Sequence, residues 1–357
     1  MGHRILALNP GGGSTKVALY EDSKAAHEDK IRHPAEEIAG FSSTLEQLDY
    51  RREAIDSLLD AWKVDKTTLS AVVGRGGPFK PLVSGTYRVN ERMLADIRQG
   101  RVAADHPSNL GALLAAEIAS PLGIPAFIVD PVSVDEFIPE SRISGLPDIE
   151  RRSLSHALNM KMVGRKAAAQ IGKPYRDLNL VVAHLGTGIS IGAHRKGRQI
   201  DVNNANDGGP LSPQRTGYLP VTQLVKLCFS GSYDEKALLR KITKGGGLTS
   251  YLDSDDITPL YRKAKAGDEK VGLVLRAMVQ QIAKEIAAQS AVLDGQLDAI
   301  VLTGGMAHEP NLIEAIKRKI SFITPNILVF PGEDELEALA LGALRVLTGE
   351  EEAMTYE

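Results

Sequence analysis

Arg4-Ile5-Leu6-Ala7-Leu8-Asn9-Pro10-Gly11-Gly12-Gly13-Ser14-Thr15-Lys16-Val17-Ala18-Leu19-Tyr20 decides how the rest of the chain is read. The apolar run 4–9 reads as a strand, Pro10 to Ser14 as a turn, and 16–20 as a second strand, so the stretch predicts a hairpin with a glycine-rich tip. Half a chain later the pattern returns. Residues 178–185 are nearly all apolar, Gly186-Thr187-Gly188 is a tight turn, and 189–194 is another strand followed by Lys196-Gly197. Asn9 and His184 therefore hold equivalent places. Ala71-Val72-Val73-Gly74-Arg75-Gly76-Gly77 and Ala299-Ile300-Val301-Leu302-Thr303-Gly304-Gly305 form a second echo, both apolar strands ending in a double glycine. A repeat on the scale of half the chain predicts duplication of a whole α/β domain rather than a short-period array. Two similar lobes facing each other across a cleft are the expected result.

Helical periodicity fills the intervals at 50–63, 109–120, 150–171, 270–293 and 335–347. Hairpins combined with alternating strands and helices predict a mixed sheet flanked by helices in each lobe, not an uninterrupted βαβ series. We expect an N-terminal lobe of 1–150 with 333–357 packed back onto it, and a C-terminal nucleotide-binding lobe of 151–332. The 357-residue length suits two domains. With 43% hydrophobic residues, a net charge of −3 and no low-complexity tract, the composition is that of an ordinary soluble protein. It offers no polybasic face for nucleic acid or lipid and no apolar run long enough to span a membrane. The N-terminal apolar run is too short for a secretory signal, and a cytoplasmic location is expected. The single cysteine, Cys228, lies in a helix-like apolar stretch where buried packing is the expected role.

Three glycine turns carry the chemical signal: Asn9 to Ser14, His184 to Gly188, and Thr303 to Met306. Glycine permits the dihedrals and the close approach by which backbone amides converge on an anion. No Gly-Lys-Ser/Thr follows four spacer residues, and none of the turns opens a helix as a dinucleotide fingerprint does. Each turn alone would pass for a tight hairpin. Three at duplicated positions point to phosphate.

These residues resemble the ATP-binding superfamily of acetate kinases, sugar kinases, Hsp70 and actin, and within it the acetate/butyrate kinase family. The resemblance rests on Asn9-Pro10-Gly11 with Ser14-Thr15-Lys16, Ala183 to Gly188, Asn203 through Gly217 and Leu302 to Met306. His106-Pro107-Ser108-Asn109-Leu110-Gly111-Ala112, Asp130-Pro131-Val132, Pro210 to Gly217 and Pro331-Gly332-Glu333-Asp334-Glu335 add to it. It implies two duplicated ribonuclease-H-like, actin-like ATPase lobes, and reversible phosphoryl transfer from ATP to a short-chain carboxylate. Butyrate or isobutyrate comes first, acetate or propionate second, and the enzyme is expected to form homo-oligomers. An Hsp70- or actin-like ATPase module is the alternative from another class.

A carboxylate acceptor is already ionised at neutral pH and needs no general base; it needs its charge neutralised. Arg75, His106, His184 and Arg215 decorate the turns accordingly. Arg215 is favoured for the transition state because its planar fork matches carboxylate and phosphoryl oxygens. Asn9, Gly11, Gly12, Ser14, Lys16, Gly186, Thr187, Gly188, Gly304, Gly305 and Met306 are the expected ATP and phosphate contacts. By resemblance, Asp130 and one of Glu335 or Asp334 serve Mg²⁺. Two departures stand out: Gly12 and Gly13 replace hydroxyl residues common in relatives, and Arg75 stands where acetate kinases have a histidine. Small Gly74 and Ala183, with rigid Pro210, are expected to leave room for a longer acyl tail.

Overall fold

In the computed structural model, which describes residues 2–357, twelve strands form two sheets. They are β1 (Arg4–Pro10), β2 (Ser14–Glu21), β3 (Lys24–Arg32), β4 (Ala71–Arg75), β5 (Thr86–Arg88), β6 (Ala126–Val129), β7 (Asn179–Leu185), β8 (Ile189–Arg195), β9 (Arg198–Val202), β10 (Ala299–Gly304), β11 (Ile327–Pro331) and β12 (Met354–Thr355). One compact unit comprises the chain up to Asp135 together with Asp334–Glu357; the other is Glu136–Glu333.

The duplication read from the hairpins is present in the strand order. The first sheet contains β3-β2-β1-β4-β6 and the second β9-β8-β7-β10-β11. In each, the hairpin pairs are antiparallel and the two following pairs parallel. Register agrees as well: Ile5 lies opposite Ala71, and Leu180, its counterpart one residue into β7, lies opposite Ala299. The double glycine that follows β4 and the one that closes β10 therefore fall at matching positions. The first sheet is extended by β5, antiparallel to β6, and by β12, parallel to β5.

Strand alternation sends odd and even residues of β7 to opposite faces. Val181, Ala183 and Leu185 join Leu275, Met278, Ile282 and Ile286 of the helix Glu269–Val292. Leu180 and Val182 join Met160, Val163 and Ala167 of the helix Ala157–Ile171. With both faces covered, the strand reads as a continuous apolar run. His184 is even-numbered and is thereby aimed at the second helix. In β1 the same logic sends Leu6 and Leu8 into a cluster with Ile55, Leu59 and Leu113, and turns Asn9 to the opposite face.

Three expectations need correction. The helix foreseen at 150–171 begins only at Ala157, because the preceding segment is held out of helical geometry: Arg151 forks onto Asp201 at 2.7 and 3.0 Å and its amide bonds Arg142 O. Cys228 is exposed rather than packed, since the helix Val221–Cys228 buries none of its residues despite its apolar pattern. Gly74 and Ala183 are small for packing reasons. A Cβ at Gly74 would fall on the Gly111 backbone, and Ala183 lies in the core beneath the helix Glu269–Val292. Among the described residues, no helix is long and apolar enough to cross a membrane.

Candidate active site

The duplicated architecture treats its two strand-end polar residues alike. Asn9 and His184 are each the penultimate residue of their strand, and each is met by the first turn of the helix crossing that face. For Asn9 the helix is Glu335–Leu347, and Asn9 Nδ2 donates to Glu335 Oε2. For His184 it is Ala157–Ile171, with His184 Nδ1 2.9 Å from Asn159 Oδ1.

In the first unit, Arg75 at the end of β4 donates to the other oxygen of Glu335, so that one buried carboxylate orients both Asn9 and Arg75. Lys16 lies directly across the hairpin from Asn9, and cross-strand partners share a face. Asp130 follows β6 in a left-handed conformation (φ 38°); its Oδ1 accepts from Ser84 Oγ at 2.6 Å and from the Gly85 amide at 2.9 Å. His106 caps the short turn Pro107–Asn109, its Nδ1 accepting from the Ser108 amide at 3.2 Å, which leaves the ring proton on Nε2.

Behind the first glycine turn, buried His33 sits with Nε2 2.9 Å from Thr15 Oγ1 and Nδ1 3.3 Å from the Tyr50 hydroxyl. Burial first, and the nearby Arg51 cation second, push its pKa from 6.5 down to about 4, against a smaller opposing pull from Glu37. A group depressed in this way binds its proton in the unfolded chain before it does so in the folded one. Stability is therefore expected to fall as pH drops from about 6.5 to about 4. His33→Gln should flatten that slope in denaturant titrations across the window; an unchanged slope would show that His33 does not control it.

In the second unit, His184 is 1% exposed and stacks on His156, with ring centroids 3.9 Å apart and planes 9° from parallel. The Nδ1 of His156 is 3.0 Å from the hydroxyl of Ser190, itself the cross-strand partner of His184. The Nε2 of His184 is buried and 3.1 Å from Glu333 Oε1, but misaligned for a hydrogen bond. Space at Gly186 is tight, since a Cβ would come within 3.0 Å of that Nε2 and 3.1 Å of that carboxylate. Gly188 allows the Arg215 guanidinium to lie flat against the turn, where a Cβ would stand 2.5 Å from Nη1. Ser212 ties the Arg215 loop to the same turn: its Oγ donates to Thr187 O at 2.6 Å and accepts from the Arg215 amide at 3.1 Å. Burial lowers the Arg215 pKa below its ordinary value, and among the described residues no carboxylate pairs with it. At the third turn, Gly304 (φ 93°) and Gly332 exchange amide hydrogen bonds of 3.1 Å, and buried Met306 follows.

The structure thus gathers Asn9, Arg75 and Glu335 in one unit, and His184, Gly186, Gly188 and Arg215 in the other. Asn159, His156, Glu333 and Ser212 were not singled out from the sequence. Asn159 had left a signal: an amide on the sheet-facing stripe that also carries Val163 and Ala167.

The sequence pattern of the acetokinase family matches residues 149–323. Over 356 residues the chain is 48% identical to butyrate kinase 1 of Clostridium acetobutylicum, covering 99% of this chain and 100% of that one. Acetate kinase from Porphyromonas gingivalis superposes with a TM-score of 0.78 at 19% identity, covering 98% of this chain and 100% of that one. A propionate kinase from Francisella tularensis gives 0.75 at 19% identity, covering 95% and 98%. The two solved structures share the fold, while the likeness to the clostridial enzyme runs from end to end in sequence, and on that ground the chain belongs to the acetokinase family of kinases.

Proposed function

We propose that this kinase transfers the γ-phosphoryl group of MgATP to the carboxylate of butyrate or isobutyrate, reversibly, in the cytoplasm and as a homo-oligomer. The observation that carries the choice of acid is the 48% identity to a butyrate kinase over nearly the whole chain.

The donor chemistry supports direct transfer. In this reading Arg215 and His184 receive the charge of the transferring group, and Arg75 and His106 attend the acid. The Asn9–Lys16 hairpin and the turns at Gly186-Thr187-Gly188 and Gly304-Gly305-Met306 hold the nucleotide. Among the described residues, a buried ring nitrogen without a hydrogen-bond partner, His184 Nε2, and a guanidinium with no paired carboxylate, Arg215, suit an oxyanion. Asp130, a buried carboxylate held by Ser84 and Gly85, is the hard oxygen donor that fits Mg²⁺. The ion, when bound with the nucleotide, would supply neutralisation of phosphate charge. Both oxygens of Glu335 are engaged by Asn9 and Arg75, so we assign it first to fixing those donors.

Hydroxamate trapping of the acyl phosphate, with acetate, propionate, butyrate and isobutyrate compared at saturating MgATP, tests the assignment. A four-carbon acid is expected to exceed acetate in kcat/KM by roughly 10-fold or more, since each methylene in an apolar pocket is worth about 10- to 200-fold. The highest kcat/KM for acetate would overturn the choice of acid while leaving carboxylate transfer in place.

A further inference from the structure

Arg51, on the helix Leu48–Ala61, is wholly buried directly behind the Gly11-Gly12-Gly13-Ser14 turn. Its Nε and Nη2 donate to Gln47 Oε1 at 3.1 and 2.8 Å, and Nη1 donates to Thr15 Oγ1 at 2.9 Å. The remaining bonds go to the turn itself, Nη2 to Gly12 O at 3.2 Å and Nη1 to Ser14 O at 3.4 Å. All these acceptors are neutral, and among the described residues no carboxylate pairs with it. A buried charge is ordinarily paired, because desolvation without a counter-charge is costly.

The turn is oriented to match. Gly12 O accepts from Arg51, Gly13 O from the His33 amide at 3.0 Å, and Ser14 O from the Gly11 amide at 2.7 Å as well as from Arg51. In a trans peptide the N–H points away from the carbonyl of the preceding residue, so binding Gly12 O to Arg51 aims the Gly13 amide to the other side. Among the described residues the amides of Gly12 and Gly13 donate to no group, and a Cβ at either would meet open space. Packing does not require glycine there. Amides that donate to no group in front and a cation without a counter-charge behind are the ingredients of an anion nest.

We propose that Arg51 is a positioning residue of the phosphate turn: it draws the turn's carbonyls inward, presents the Gly12 and Gly13 amides, and has its charge matched by phosphate oxygens when nucleotide binds. The proposal rests on reading this turn as a phosphate site. It also accounts for the glycines that replace hydroxyl residues at 12 and 13, because a cation behind the loop substitutes for the missing side-chain donors.

Calorimetric titration of the full chain with MgATP and, separately, with adenosine tests it, using Arg51→Met, Arg51→Lys and Lys16→Met. Arg51→Met is expected to weaken MgATP about tenfold or more, the equivalent of one charge-assisted hydrogen bond, and to leave adenosine within twofold. Arg51→Lys, which keeps the charge but loses the fork, should fall between. General loss of structure would weaken both ligands equally, which is the result that overturns the proposal; should Arg51→Met fail to fold, the same comparison is made on Arg51→Lys. Native MgATP affinity in the Arg51 variants, with a loss in Lys16→Met, would overturn the role of Arg51 and leave the turn's reading standing. Native affinity in all three would overturn the reading of the turn itself.

Discussion

Arg215→Ala is expected to lower kcat by roughly 10²- to 10³-fold with little change in the thermal midpoint, the range observed when one pre-organised donor to a developing oxyanion is removed. The structure separates the two effects because the guanidinium is half-buried yet, among the described residues, forms no ion pair. What fixes the loop is the Ser212 hydroxyl, which bonds the Arg215 backbone rather than its side chain. Truncation therefore leaves the loop anchored to the Thr187 turn. Arg215→Lys should recover only a small part of the rate, since a point charge cannot reproduce a planar fork lying over Gly188. Stopped-flow or steady-state rates beside a melting curve check both statements. Unimpaired kcat in the alanine variant would remove Arg215 from the chemistry.

The second large effect is expected at His184. His184→Ala should reduce kcat by roughly 10²-fold or more and, unlike the change at Arg215, should also cost stability. The ring is fully buried, and its loss leaves Asn159 Oδ1 without its donor and His156 without its stacking partner. An unsatisfied buried acceptor costs about 1–3 kcal/mol. Added imidazole is expected to occupy the vacated space between His156 and Gly186 and return part of the rate. If it restores the melting temperature but none of the rate, His184 serves the fold and not the reaction.

The hairpin at Asn9 and its echo at His184 made the duplicated fold readable without coordinates, because strand alternation and glycine turns leave local marks. The matching of Ile5–Ala71 with Leu180–Ala299 shows how far that reading extends, down to register. The partners of the strand-end residues were harder to see. Asn159 and Glu335 arrive from distant parts of the chain, and their pairing with His184 and Asn9 is fixed by which helix crosses which face. Arg51 was invisible for a related reason: in sequence it is one of two consecutive arginines on an amphipathic helix, and only packing buries one and leaves its neighbour Arg52 to surface carboxylates. Gly74 and Ala183 misled because small size has two causes, a ligand or a neighbouring backbone, and composition does not distinguish them. Cys228 misled in the same way, since an apolar helix pattern records a face to be covered and not the presence of a cover.

The two units are joined by a chain that leaves the first at Asp135 and re-enters it at Asp334. The second unit is thus contiguous, whereas the first lacks both β12 and the helix bearing Glu335 until residues 334–357 have been made. During vectorial synthesis, therefore, Glu136–Glu333 has all its strands available while the earlier-made unit still waits for the segment that covers one face of its sheet. Order of translation and order of completion are inverted in this chain, and the carboxylate that orients Asn9 and Arg75 is among the last groups to reach its place.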